Sequence, residues 1–134
     1  MDLMRVTVAG SLVILQCACA VMDPPLSAPP GSNVTAAQHN SDGIAHYELG
    51  HWSIAKDHFT SAVEADPNLA EAHYNLGLAL NQLNLQSEAT THFKKAADLA
   101  PANNAIVQSR AYRSRTAPPS PSSSGTSGYG GMGY

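Results

Sequence analysis

Laid over itself with Gly43 on Gly77, the chain matches itself along a whole segment. In that one register Ala55 falls on Ala89, His58-Phe59 on His92-Phe93, Ala62 on Ala96, Pro67 on Pro101 and His39 on His73. A fixed period of this length marks a repeat architecture, in which each unit covers the apolar face of the next. Between residues 35 and 116 there is no strand-type alternation, and apolar residues recur at helical spacing. Each unit is therefore a pair of helices. The pattern predicts helices over about 36–49, 53–65, 69–83, 86–99 and 104–115. Thr35 with Gln38 and Asn68 with Glu71 have the spacing of capping boxes.

The matching residues have physical roles in such a unit. Gly43 and Gly77 lack a side chain, so two helices can approach closely there. Ala55, Ala62, Ala89 and Ala96 do the same on the second helix of each pair, and Phe59 and Phe93 fill the space between helices. Pro67 and Pro101 stop one helix and set the turn into the next. Two units bury few interfaces, so the helix at 104–115 is expected to act as a cap, with Ile106, Val107 and Ala111 packed and Arg110, Arg113 and Arg115 in water.

This set of residues resembles the tetratricopeptide repeat. The second unit carries Tyr74, Leu76-Gly77, Leu80, Ala89, Phe93, Ala96 and Pro101, and the first carries Gly43, Ala55, Phe59, Ala62 and Pro67. Two departures stand out. Asp42 occupies the place of Leu76, and His39 and His73 replace the usual Trp. The resemblance implies an all-α fold: two helix-turn-helix repeats, at about 36–69 and 70–103, with a capping helix as a short solenoid. It also implies a concave groove that binds a peptide or helix of a partner. Its lining would be Asn40, Ile44, Tyr47 and Glu48 from the first unit, Glu71, Tyr74, Leu78, Asn81 and Gln82 from the second, and Gln108 and Tyr112 from the cap. Members that clamp a terminal carboxylate need cations in the groove. Here Asn75 keeps one clamp position, but Asn40, Ile44, Ala105 and Ser109 hold the others, so such a clamp is not expected.

The flanks read differently. Arg5 precedes the mainly apolar Val6–Leu15, and Ala18-Cys19-Ala20 fits a signal-peptidase site, so residues 1–20 are expected to be an export signal. A lipoprotein signal, with Cys19 or Cys17 as the lipidation candidate, and an uncleaved anchor are the alternatives. Each of the three puts the remainder in a periplasm or envelope, or outside the cell. Residues 21–34 hold Pro24, Pro25, Pro29 and Pro30 and read as a Pro-rich linker. Residues 117–134, rich in Pro, Ser, Gly and Tyr, read as a disordered tail.

The net charge of -3 excludes the strongly basic surface that non-specific nucleic-acid binding requires. The charge is also uneven: residues 36–69 carry five acids against Lys56, whereas 104–134 carry three arginines and no acid. That polarity leaves head-to-tail self-association open. The six histidines, His39, His46, His51, His58, His73 and His92, show no i, i+4 pair and no His-Glu-x-x-His motif. They read as surface or half-packed positions, with His39 and His73, and His58 and His92, one repeat apart. There is no nucleophile elbow, P-loop or dinucleotide motif. The expectation is a non-enzymatic adaptor or scaffold of a bacterial cell envelope. It has no catalytic residue, metal or cofactor, its partner is a protein or peptide, and it meets a membrane only through its N-terminus. A transient chaperone or assembly factor for an exported client, or a self-assembling structural protein, are the alternatives.

Overall fold

A computed structural model describes residues 22–117. The expected export signal with Cys17 and Cys19, and the tail from residue 118, lie outside the described residues. Six helices follow one another: α1 (Val34–Glu48), α2 (Trp52–Ala65), α3 (Ala70–Gln82), α4 (Gln86–Leu99), α5 (Asn104–Val107) and α6 (Arg110–Thr116). The first four agree closely with the periodicity at both ends. Helices α1 and α2 form one hairpin and α3 and α4 a second, stacked through α2 and α3, with α5 and α6 against α4. No helix among the described residues is long and apolar enough to cross a membrane.

Each hairpin is locked by the contact the repeat predicts. A Cβ on Gly43 would lie 2.6 Å from the Phe59 ring, and one on Gly77 would lie 2.7 Å from the Phe93 ring. Phe59, Phe93, Ala55, Ala62, Ala89 and Ala96 are fully buried. Pro67 and Pro101 are exposed, as turn residues should be. Both first helices also end alike. Gly50 and Asn84, again one repeat apart, take left-handed φ values of 77° and 66°. The N–H of the residue after each then reaches back to close the last turn: His51 donates to the His46 carbonyl and Leu85 to the Leu80 carbonyl, both at 2.9 Å.

Some details differ from expectation, among them Arg115, which is half-buried with its guanidinium on Asn81 and not in water. The capping helix is two short helices, because the Ser109 side chain caps α6 by accepting from the Tyr112 N–H and so starts a new helix inside the span expected to be continuous. Ile106 and Ala111 are nevertheless buried, so the cover is provided. Helix α1 is capped by Asn33, which accepts from the Ala36 N–H, and not by Thr35. Asn68 does not cap α3: its N–H donates to Asp66 Oδ1, and α3 follows Leu69 without a side-chain cap.

Candidate functional site

The inner face of α1 and α3 is where the expected groove residues gather, and it is occupied. Residues 22–28, read from composition as a linker, lie across it without helix or turn. The segment runs from the C-terminal end of α3 back toward the first turns of α1. There Pro30 and Gly31 turn it, with the Ser32 N–H donating to the Pro29 carbonyl at 3.2 Å, and Asn33 starts the helix. Gly31 has φ 90°, which the second central position of such a turn requires.

Two asparagines hold the segment by its backbone. The Leu26 N–H donates to Asn75 Oδ1 at 2.7 Å. The Leu26 carbonyl accepts from Asn75 Nδ2 at 2.7 Å and from Asn40 Nδ2 at 2.9 Å. The second Asn75 Nδ2 hydrogen donates to Asn40 Oδ1 at 2.8 Å, which fixes the orientation of both amides. Both asparagines are buried, so each needs these partners. At the segment's start, Asp23 accepts from the Ala111 N–H in the first turn of α6. Gln82 Nε2 reaches Met22 Sδ at 3.2 Å and the Tyr47 hydroxyl at 3.4 Å. Leu26 packs on the core. Clefts flank it, one lined by Pro24, Tyr74 and Gln108, the other by Ser27, Ala37 and Ile44.

The expected lining residues divide into three groups. Asn40, Ile44, Tyr74, Gln82 and Gln108 face the segment or its flanking clefts. Tyr47, Leu78 and Tyr112 are mainly packing residues: Tyr47 stacks edge-on against Trp52 with centroids 4.9 Å apart, Leu78 is buried, and Tyr112 lies against the core. Burial raises the Tyr47 phenol above its usual range and pushes that of Tyr74 up to about 12. Glu71, Asn81 and Glu48 have other surroundings. Glu71 accepts from Asn103 at 3.2 Å, Asn81 accepts from Arg115, and Glu48 is exposed. Asn75 is not among the expected lining residues, yet it makes the most hydrogen bonds with the segment. Its signal is an amide in the otherwise apolar run of α3.

The histidines also regroup. The repeat register separates His39 from His73 and His58 from His92, but each hairpin brings two together across its helices. His39 faces His58 with ring centroids 5.9 Å apart, and His73 stacks on His92 at 5.3 Å. His73 is buried, and not the surface or half-packed position expected of it, because α3 is covered by α4 of its own hairpin and by α2 of the other. Its Nε2–H donates to the Pro67 carbonyl at 3.0 Å, which leaves its Nδ1 to accept from the Nδ1–H of His92 at 3.1 Å. This arrangement needs the His73 ring neutral. Burial lowers both pKa values below the ordinary 6.5, aided by Lys95 at His73 and by His73 itself at His92. Since the folded pKa values are depressed, the unfolded chain binds more protons in acid. The pair's contribution is complete above the ordinary histidine range and is lost as pH falls through it. The melting temperature is therefore expected to drop between about pH 7 and 5, and to drop less in a His73→Gln, His92→Gln chain. Parallel pH profiles for the two chains would refute this.

A sequence model of the tetratricopeptide repeat matches residues 42–104, from the middle of α1 to the start of α5. A comparison with curated proteins gives no match. Repeats of this kind generally mediate protein–protein interaction and are typically not enzymes. The match agrees with the paired helices and with the glycine–phenylalanine contact that recurs in both hairpins, and it supports a tetratricopeptide repeat protein over residues 42–104.

Proposed function

We propose that this protein is an adaptor that captures an extended segment of a partner protein on the inner face of α1 and α3, and that residues 22–28 hold that face until a partner displaces them. The observation that carries this reading is the treatment of Leu26: side-chain amides satisfy both its N–H and its carbonyl. Such contacts recognise a peptide group whatever side chain it bears, and the clefts on either side supply selectivity. A resident proline-rich segment suits the role of a displaceable occupant, since prolines restrict the free chain and little entropy is lost on docking.

The setting we propose is a bacterial cell envelope. Its support is the Arg5 head, the apolar Val6–Leu15 stretch and Ala18-Cys19-Ala20. Cleavage after Ala20 would leave the mature chain starting just before the docked segment. Intact-mass analysis of the native protein distinguishes this from lipidation at Cys19 or Cys17.

The test uses a labelled peptide with the sequence of residues 22–28 and the chain carrying Asp23→Ala and Leu26→Ala, which weaken the resident contacts. The variant is expected to bind the added peptide at least about tenfold more tightly than the unmodified chain, because the competing segment no longer holds the face. Equal, undetectable binding by both chains refutes the groove reading. A second reading, a transient chaperone for exported clients, is favoured by the same backbone contacts, which tolerate many sequences. A peptide array separates the two: an adaptor selects a narrow set of sequences, a chaperone a broad one.

A further inference from the structure

We infer that the first repeat carries a divalent transition-metal site built from His39, Asp42 and His58. One ligand atom from each lies within 4.8 Å of the others, across the α1–α2 hairpin. A tetrahedral zinc ion holds each ligand at about 2.1 Å and separates them by about 3.5 Å, a distance that small side-chain rotations reach from here. Two imidazoles and a carboxylate, with a water completing the shell, suit zinc and its neighbours in the first row.

The second repeat is an internal control. Its histidines occupy equivalent places, but Leu76 stands where Asp42 would be. There the pair is satisfied by its own hydrogen bond and by the Pro67 carbonyl. In the first repeat, His39 Nδ1 is buried and has no hydrogen-bond partner among the described residues. A buried ring nitrogen without a partner is costly as a plain packing group, and a bound ion is one way to satisfy that ring. Asp42 is at once the departure from the repeat pattern and the residue that completes the set. Gln38 donates to Asp42 Oδ1 at 3.0 Å and holds the carboxylate from the side. His46 stacks on His58 at 5.4 Å, nearly parallel, and steadies that ring.

Zinc chloride titrated into the full chain, followed by calorimetry, tests the site. One saturable equivalent is expected. Asp42→Leu, which installs the residue the second repeat already accommodates, should weaken binding at least about tenfold, as should His58→Gln. Circular dichroism should show both variants as helical as the parent. His92→Gln, and separately His51→Gln, should keep affinity within about threefold, the usual spread of context effects. The site is overturned if no saturable binding occurs, or if Asp42→Leu and His58→Gln retain full affinity. It is also overturned if the control variants lose as much affinity as these two, because the ion then lies elsewhere.

Discussion

Replacing Phe93 with Ala is expected to remove about 3–5 kcal/mol of stability, the range for emptying a phenylalanine-sized hole in a core. The ring is fully buried, faces Tyr74 at 5.8 Å and sits directly over Gly77. Small domains are stable by about 5–15 kcal/mol, so one substitution takes a large share. For a domain of this size each kcal/mol moves the melting temperature by about 4–8 °C, so a fall of at least about 12 °C is expected in a thermal melt followed by helical circular dichroism. The opposite error is made by Gly77→Ala. Its methyl would sit 2.7 Å from the Phe93 ring, which is buried on every side. Overpacking of that kind costs about 1–3 kcal/mol. If the two residues act through this contact, Gly77→Ala with Phe93→Leu should be less destabilised than the sum of the single changes, by at least about 0.5 kcal/mol. Strict additivity would show that the contact is not what couples them.

The helical frame is legible because its signals are local or strictly periodic. The Gly–Phe contact, the alanine pattern and the turn prolines recur at one offset, and hairpin packing depends on little else. What the sequence hides is carried by geometry that crosses the register. The repeat register sets Asn40 against Tyr74, not Asn75, so matching the units pairs it with the wrong residue. The asparagine pair forms because neighbouring first helices are offset by one position where they meet. Each histidine pair joins the two helices of a single hairpin, at a spacing set by the turn and not by the repeat. Residues 22–28 escape the sequence for another reason. Their composition marks an extended tether, but docking is carried by the backbone of Leu26, and no composition reveals where a backbone finds partners. The split of the capping helix turns on Ser109, whose side chain can start a helix as readily as continue one.

Asn75→Ala is expected to release residues 22–28 while leaving the helices in place. The side chain supplies three hydrogen bonds, two to Leu26 and one to Asn40. Its loss leaves the Leu26 N–H without its partner and Asn40 Oδ1 without its donor, at about 1–3 kcal/mol for each buried group. Two such groups weaken docking by at least about thirtyfold. Hydrogen exchange should then find the Leu26 amide exchanging near the rate of a free peptide, with the α3 and α4 amides still protected. Asn40→Ala should do less, since Asn75 still bonds both polar groups of Leu26. Asn75→Asp should be no better than Asn75→Ala, because a carboxylate accepts the Leu26 N–H but faces two oxygens it cannot donate to. A Leu26 amide that stays protected in Asn75→Ala would disprove the docking scheme. The same variant separates two roles for the segment. If it only blocked a groove that binds partners through other residues, freeing it would raise affinity for an added peptide, as Asp23→Ala with Leu26→Ala should. If the asparagines themselves read the backbone of whatever lies there, Asn75→Ala frees the resident segment and loses the added peptide as well. The geometry at Leu26 predicts the second result.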